Sequence, residues 1–135
     1  MTQEVKINSK SSSPSNEVKI ISIIIHLSGI LSGLLLPLII PFAILIGSEN
    51  KYLKIQAKKA LNWQISLFIY LFVAGALWVI SLILSFILIG IPFLFVFSLL
   101  FVLLYIANIA LSIIAAVKAN EGIVWDYPFS IEFFK

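Results

Sequence analysis

The sequence predicts an all-α integral membrane protein, and three observations carry that class. The first is composition: 61% of the residues are hydrophobic and 11% charged, with a mean hydropathy of +1.15. Soluble domains run at about 45–50% apolar and about 25% charged. The second is where the charges fall: no residue from Ile20 to Ile46, and none from Ala60 to Val117, carries a formal charge. The third is that these runs do not alternate between apolar and polar positions, as a membrane β-barrel requires. Backbone groups in lipid must be satisfied within the chain, so the spans are helical.

The elements follow in order. Residues 1–17 read as a flexible polar tail, because Ser9, Ser11, Ser12, Ser13, Pro14, Ser15 and Asn16 offer too little apolar area to offset ordering. Residues 18–135 form the transmembrane helical domain. A helix crosses a hydrocarbon core of about 30 Å in about 20 residues, so residues 20–46 suit one span. The stretch after Ala60 suits two, turned near Gly90-Ile91-Pro92, where Pro removes a backbone donor. The expected spans are therefore 20–46, 62–89 and 92–117. An interfacial amphipathic segment, residues 50–61, precedes the second and presents Lys51, Lys54, Lys58 and Lys59 to lipid headgroups. The tail 118–135, with Trp125, Tyr127-Pro128, Phe129, Phe133 and Phe134, lies along the interface. Trp63, Trp125, Tyr52 and Tyr127 complete an aromatic belt beside the lysines.

Orientation has two readings. With three spans, the first loop and C-terminus carry six lysines against three in the N-terminal tail, which places them on the cytoplasmic side of the cell membrane. Alternatively, Pro37 and Pro41 break the first stretch into a re-entrant hairpin, and all nine lysines share one side. That geometry needs protein to cover the broken backbone.

Small and polar residues recur at helical spacing and form a candidate seam between helices. Ser22, His26, Gly29 and Gly33 mark the first stretch, the last two as GxxxG; Asn62, Ser66 and Tyr70 mark the second; Tyr105, Asn108 and Ser112 mark the third. Packing of small residues and interhelical hydrogen bonds hold helices together in lipid. His26 is the only imidazole, and no Asp, Glu or Lys lies within a span to exchange a proton with it. It reads as a neutral histidine bonded to a carbonyl, Ser or Tyr.

The chemistry of an enzyme is missing. With no cysteine, a single Asp and a single His, the chain carries no thiol nucleophile, aspartyl pair or HExxH. Its glycines form no phosphate-cradling loop. Nine lysines without one arginine argue against nucleic-acid recognition. No catalytic residue, metal site or cofactor is expected; the partners are the lipid bilayer and other membrane proteins, or further copies of the chain.

Several local patterns occur in a characteristic order: His26-Leu27-Ser28-Gly29, Pro37 with Pro41, Ala60-Leu61-Asn62-Trp63-Gln64, Pro92, and Ala119-Asn120-Glu121-Gly122 followed by Trp125, Tyr127-Pro128 and Ile131. Across residues 18–135 the chain resembles the bacterial and archaeal small membrane proteins of unknown function grouped with the twenty-kilodalton subunit of the chloroplast inner-envelope import translocon (Tic-twenty-like). That resemblance implies a role in protein translocation or insertion and no catalytic residues. The expected function is a membrane interaction or assembly factor. An oligomeric transport or channel subunit, and an immunity-type protein against a membrane-active peptide, are the alternatives. Physically, Asn62 and Gln64 would bond the interface or the first loop, and Gly122 suits a left-handed helix stop.

Overall fold

A computed structural model describes residues 13–31 and 35–135. Their helices run in the order α1 (Asn16–Leu27), α2 (Leu36–Gly47), α3 (Lys51–Leu84), a short 3-10 turn (Ser85–Ile87) and α4 (Gly90–Asn120), and a non-helical tail follows from residue 121 to 135. Of the expected tail, residues 1–12 lie outside the described residues, as does Gly33 of the GxxxG pattern.

The first apolar stretch is two short helices, each of 12 residues. α1 starts where Ser15 accepts the Val18 amide, with Glu17 in its first turn; both features oppose the positive end of the helix dipole. It stops at Ser28, whose hydroxyl turns back onto the Ile25 carbonyl at 2.7 Å. The break comes before the prolines: Pro37 sits in the first turn of α2, where its missing N–H costs nothing, and Pro41 lies inside that helix.

The expected interfacial segment is not separate from the second span. α3 runs unbroken for 34 residues, about 51 Å at 1.5 Å per residue. Asn50 caps it by accepting the amides of Tyr52 and Leu53 at 2.9 and 3.3 Å. Nothing between Lys51 and Trp63 breaks a helix, so apolar and lysine-bearing turns continue as one rod. The turn to α4 falls at Leu88, which adopts a left-handed φ of 63°. Gly90 then permits close contact: a Cβ there would stand 2.0 Å from the Ser81 carbonyl oxygen. α4 ends at Gly122 (φ 79°), where the Gly122 amide meets the Ala119 carbonyl at 3.1 Å and the Ile123 amide the Lys118 carbonyl at 2.9 Å. This is the left-handed stop expected at Gly122.

Burial divides the molecule into two regions. On α3 the buried residues run from Tyr52 to Leu67, and on α4 from Asn108 to Ala119; beyond these, only Ala74, Ser81 and Gly90 are buried on the two helices. α1, α2 and the C-terminal tail pack on the first zone, with Ile25, Leu53, Ala57 and Ala60 at one contact and Trp63, Leu67, Ala115 and Tyr127 at the other. We refer to this zone as the head. The rest of α3 and α4 is a bare helical hairpin whose side chains, such as Phe72, Phe86 and Phe95, stand exposed. The described lysines (19, 51, 54, 58, 59, 118 and 135) lie at the head end of the molecule, and the turn from Leu84 to Phe93 carries no ionisable group.

Candidate functional site

The head is held by a lattice of buried polar side chains that ties α1, α3, α4 and the tail together. His26, at the end of α1, meets Gln56 of α3 through Nε2 (2.8 Å) and the Tyr127 hydroxyl through Nδ1 (2.8 Å). The Gln56 amide nitrogen donates to the Ile123 carbonyl at 3.1 Å, which leaves Gln56 Oε1 as the acceptor. His26 Nε2–H therefore donates to Gln56, and the Tyr127 hydroxyl donates to Nδ1. The imidazole is neutral: burial, only partly offset by Gln56, holds its pKa well below the ordinary 6.5, at about 4. Burial likewise pushes the Tyr127 phenol up from its usual value. His26 sits level with Gln56, at the lysine end of α3. Its partners include the tyrosine expected among carbonyl, Ser and Tyr.

Tyr127 is the hub. Its ring stacks on Trp63 with centroids 5.3 Å apart and planes 5° from parallel, and it also touches His26 and Trp125. Sequence reasoning placed Tyr127, Trp63 and Tyr52 in an interfacial belt, yet all three are buried, and the Tyr52 hydroxyl donates to the Ala119 carbonyl at 3.0 Å. Their polar edges find partners inside the head, which removes the need for water.

One turn further along, Asn108 of α4 accepts the Trp63 indole N–H at 2.9 Å and donates to the Gly29 carbonyl at 2.8 Å. The second bond satisfies a backbone group at the broken end of α1. Asn62, expected to bond the lipid interface or the first loop, fastens the tail instead, and Ser66 fastens it as well. Asn62 Oδ1 accepts the Phe133 and Phe134 amides at 3.0 and 2.8 Å, its Nδ2 donates to the Phe134 carbonyl at 2.9 Å, and Ser66 Oγ accepts the Ile131 amide at 2.7 Å. The Tyr70 hydroxyl donates to the Phe129 carbonyl. Outside, Lys59 pairs with Asp126, and Lys58 donates to the Lys135 carbonyl at 2.7 Å. The tail is thus strapped across α3 rather than afloat along an interface.

The remaining seam residues divide. Ser22 is buried but bonds only within its own helix, to the Val18 carbonyl at 2.8 Å. Ser112 is buried beside Gly29. Tyr105 is more than half exposed and lines a cavity of about 290 Å³ below the α1–α2 hairpin. The seam therefore gathers His26, Gly29, Asn62, Ser66, Asn108 and Ser112, while Gln56 and Tyr127, two of its main members, were not among the residues expected there. Gln56 lies on the buried face shared by Leu53, Ala57 and Ala60, and that four-residue spacing was the available clue.

Among the described residues no group of three His, Asp or Glu side chains comes together to hold a metal ion. The magnetosome magnetite crystal formation protein family, MamF/MmsF, matches residues 17–134, which span the four helices from the second residue of α1 and the strapped tail as far as Phe134. The chain belongs to the MamF/MmsF family. No curated protein and no solved structure matches it. The MamF/MmsF match overturns the resemblance to the chloroplast import subunit, and the translocation role that hung on that resemblance goes with it. Of the residues that suggested it, His26, Asn62, Trp63 and Tyr127 belong to the buried lattice of this head, and Gly122 ends α4. Two helices of this chain, residues 51–87 and 90–120, are long and apolar enough to cross a membrane, as befits a magnetosome membrane family.

Proposed function

We propose that the chain is a non-enzymatic membrane assembly factor that crosses the bilayer twice and dips into it once, serving the membrane around a growing mineral. The observation that carries this reading is the sharp change of environment along α3 and α4. From Leu67 to Ile87 the chain rises about 30 Å with its apolar side chains outward, which matches the thickness of a hydrocarbon core. The α1–α2 hairpin then enters from the lysine end and returns to it. Asn108 supplies the protein cover that broken backbone in a membrane requires. This favours the re-entrant alternative over three full spans, with the lysine-bearing head on the cytoplasmic side.

Magnetite crystal formation is what the family is described as serving. Carboxylate and imidazole side chains bind non-haem iron, and the described carboxylates (Glu17, Glu49, Glu121, Asp126, Glu132) belong to the head. The far turn, Leu84 to Phe93, offers none. On this reading the chain acts on crystal formation through membrane partners and through the lattice-stiffened head, not by presenting a mineral-binding face across the bilayer.

Cysteine accessibility tests it. Cysteines placed at Ser15, Ser48 and Ser130 should label from one side of sealed vesicles and a cysteine at Leu88 only from the other. Opposite labelling of Ser15 and Ser48 would restore three spans, and release of the chain by alkaline carbonate would remove the membrane reading altogether. Reproducible co-purification with a magnetosome membrane protein is the expected sign of assembly work; recovery solely as a lone monomer counts against it.

A further inference from the structure

The head satisfies its buried amides with one exception. Gln56, Asn62 and Asn108 each use both ends of their side chains. Gln64 is 9% exposed, yet its amide has no hydrogen-bond partner among the described residues. Among the described residues the one fully buried side-chain oxygen or nitrogen without a partner is Ser112 Oγ; the Gln64 amide is instead reachable from a cavity, where an acceptor could satisfy it. Gln64 lines the cavity of about 290 Å³ between residues 29–31 after α1, the first turn of α2 and the start of the bare α3–α4 hairpin. Its amide nitrogen rests against Gly29, where a Cβ would stand only 2.2 Å away. Glycine there makes the room the amide occupies. The other walls are almost wholly apolar: Leu31, Leu38, Phe68, Leu71 and Leu104, with the Tyr105 ring at the side. Leu31, Phe68 and Tyr105 are exposed, so the slot opens sideways.

We propose that this slot holds one acyl chain of a glycerolipid, with the Gln64 amide donating to the chain's ester carbonyl. The proposal rests on the membrane reading above. Gln64 lies five residues along α3 from Lys59, about 7–8 Å at 1.5 Å per residue. If the lysines mark the headgroups, that depth is where the headgroup zone meets the hydrocarbon, since that zone is about 5–8 Å thick on each side. Ester carbonyls lie at that boundary and are acceptors without a donor of their own, which is what an amide N–H needs. The slot is too small for a partner's helix, whose diameter is about 10 Å, and it lies at the low end of the size of small-molecule pockets. Its walls offer hydrocarbon contact beyond the single polar group, the arrangement that orients an amphiphile.

The test compares a diester phosphatidylcholine with the diether lipid of the same chains, titrated onto the full-length chain in detergent and read by native mass spectrometry. We expect one diester lipid per chain, bound about five- to tenfold more tightly than the diether, the worth of one hydrogen bond. Gln64→Leu should equalise the two lipids, and Leu71→Trp, which fills the slot, should weaken both at least tenfold. Equal affinity of the unmodified chain for the two lipids overturns the proposal, as does a preference that survives Gln64→Leu. The comparison on the unmodified chain stands even if a variant fails to fold. Carbonate extraction of the same chain from vesicles separates the two claims: retention without ester preference sinks only the slot, whereas release sinks the membrane reading.

Discussion

The head and the bare hairpin are built from the same two helices, yet they are stabilised in different ways. In the head, α3 presents Gln56, Asn62, Trp63 and Ser66 inward, and each finds a partner on α1, α4 or the tail. In the hairpin, contact rests on close approach, as at Ala74, Ser81 and Gly90, and on a single side-chain bond across the helices, from the Trp78 indole to Ser98 at 3.1 Å. The difference teaches that the polar residues of this apolar chain specify structure where several elements converge, and that elsewhere the helices need only be apolar and long. Substitutions should therefore be costly in the head and mild in the hairpin.

The largest effect is expected at Asn108. Asn108→Leu strands both the Trp63 indole N–H and the Gly29 carbonyl, and two buried unsatisfied groups together cost about 3–5 kcal/mol. Unfolding in mixed detergent–SDS micelles should show that loss; a change below about 1 kcal/mol would mean that Asn108 does not join the hairpin to the head.

Next comes acid sensitivity. His26 is neutral in the fold with its pKa lowered to about 4, whereas the unfolded chain protonates it near its ordinary value of about 6.5. The unfolded state binds more protons between those values, so stability is complete above about 6.5 and declines as pH falls toward about 4. The total loss is about 3 kcal/mol. His26→Gln should flatten the profile over that range while lowering stability at neutral pH, measured by unfolding midpoints at successive pH values.

A smaller loss, about 1–2 kcal/mol, is expected for Asn62→Ala, because the tail amides it releases can turn to water. Faster proteolysis behind Phe129, with α3 and α4 intact, would be its signature. The smallest effect belongs to the hairpin surface. Phe72→Ala and Phe95→Ala remove side chains that are 70% and 76% exposed, and away from buried features such changes fall within about 0.5 kcal/mol. A loss comparable to that at Asn108 would show that a second copy or another protein covers this face.

Much of this organisation was legible in the residues. The helical class, the uncharged runs, the turn near Gly90, the helix stop at Gly122 and the marking of His26, Asn62, Asn108 and Ser112 as seam residues all came from period and composition. Other features were not legible, because they depend on partners distant in the chain. Tyr127 lies 101 residues from His26, and a Trp-Tyr-Pro-rich tail has the same local appearance whether it lies on lipid or is strapped to a helix. The split of the first apolar stretch was likewise hidden, since a run of Leu and Ile is compatible with one long helix or with two short ones.

What the sequence by itself determined is the solvent of each segment: hydrophobicity is additive along the chain, so uncharged runs and lysine clusters declare their surroundings without reference to the fold. What only the tertiary structure decided is which polar atoms meet. A hydrogen bond between His26 and Tyr127, or between Asn108 and the Gly29 carbonyl, requires positions set to within a fraction of an ångström by helices packing together. No local pattern of residues encodes that placement.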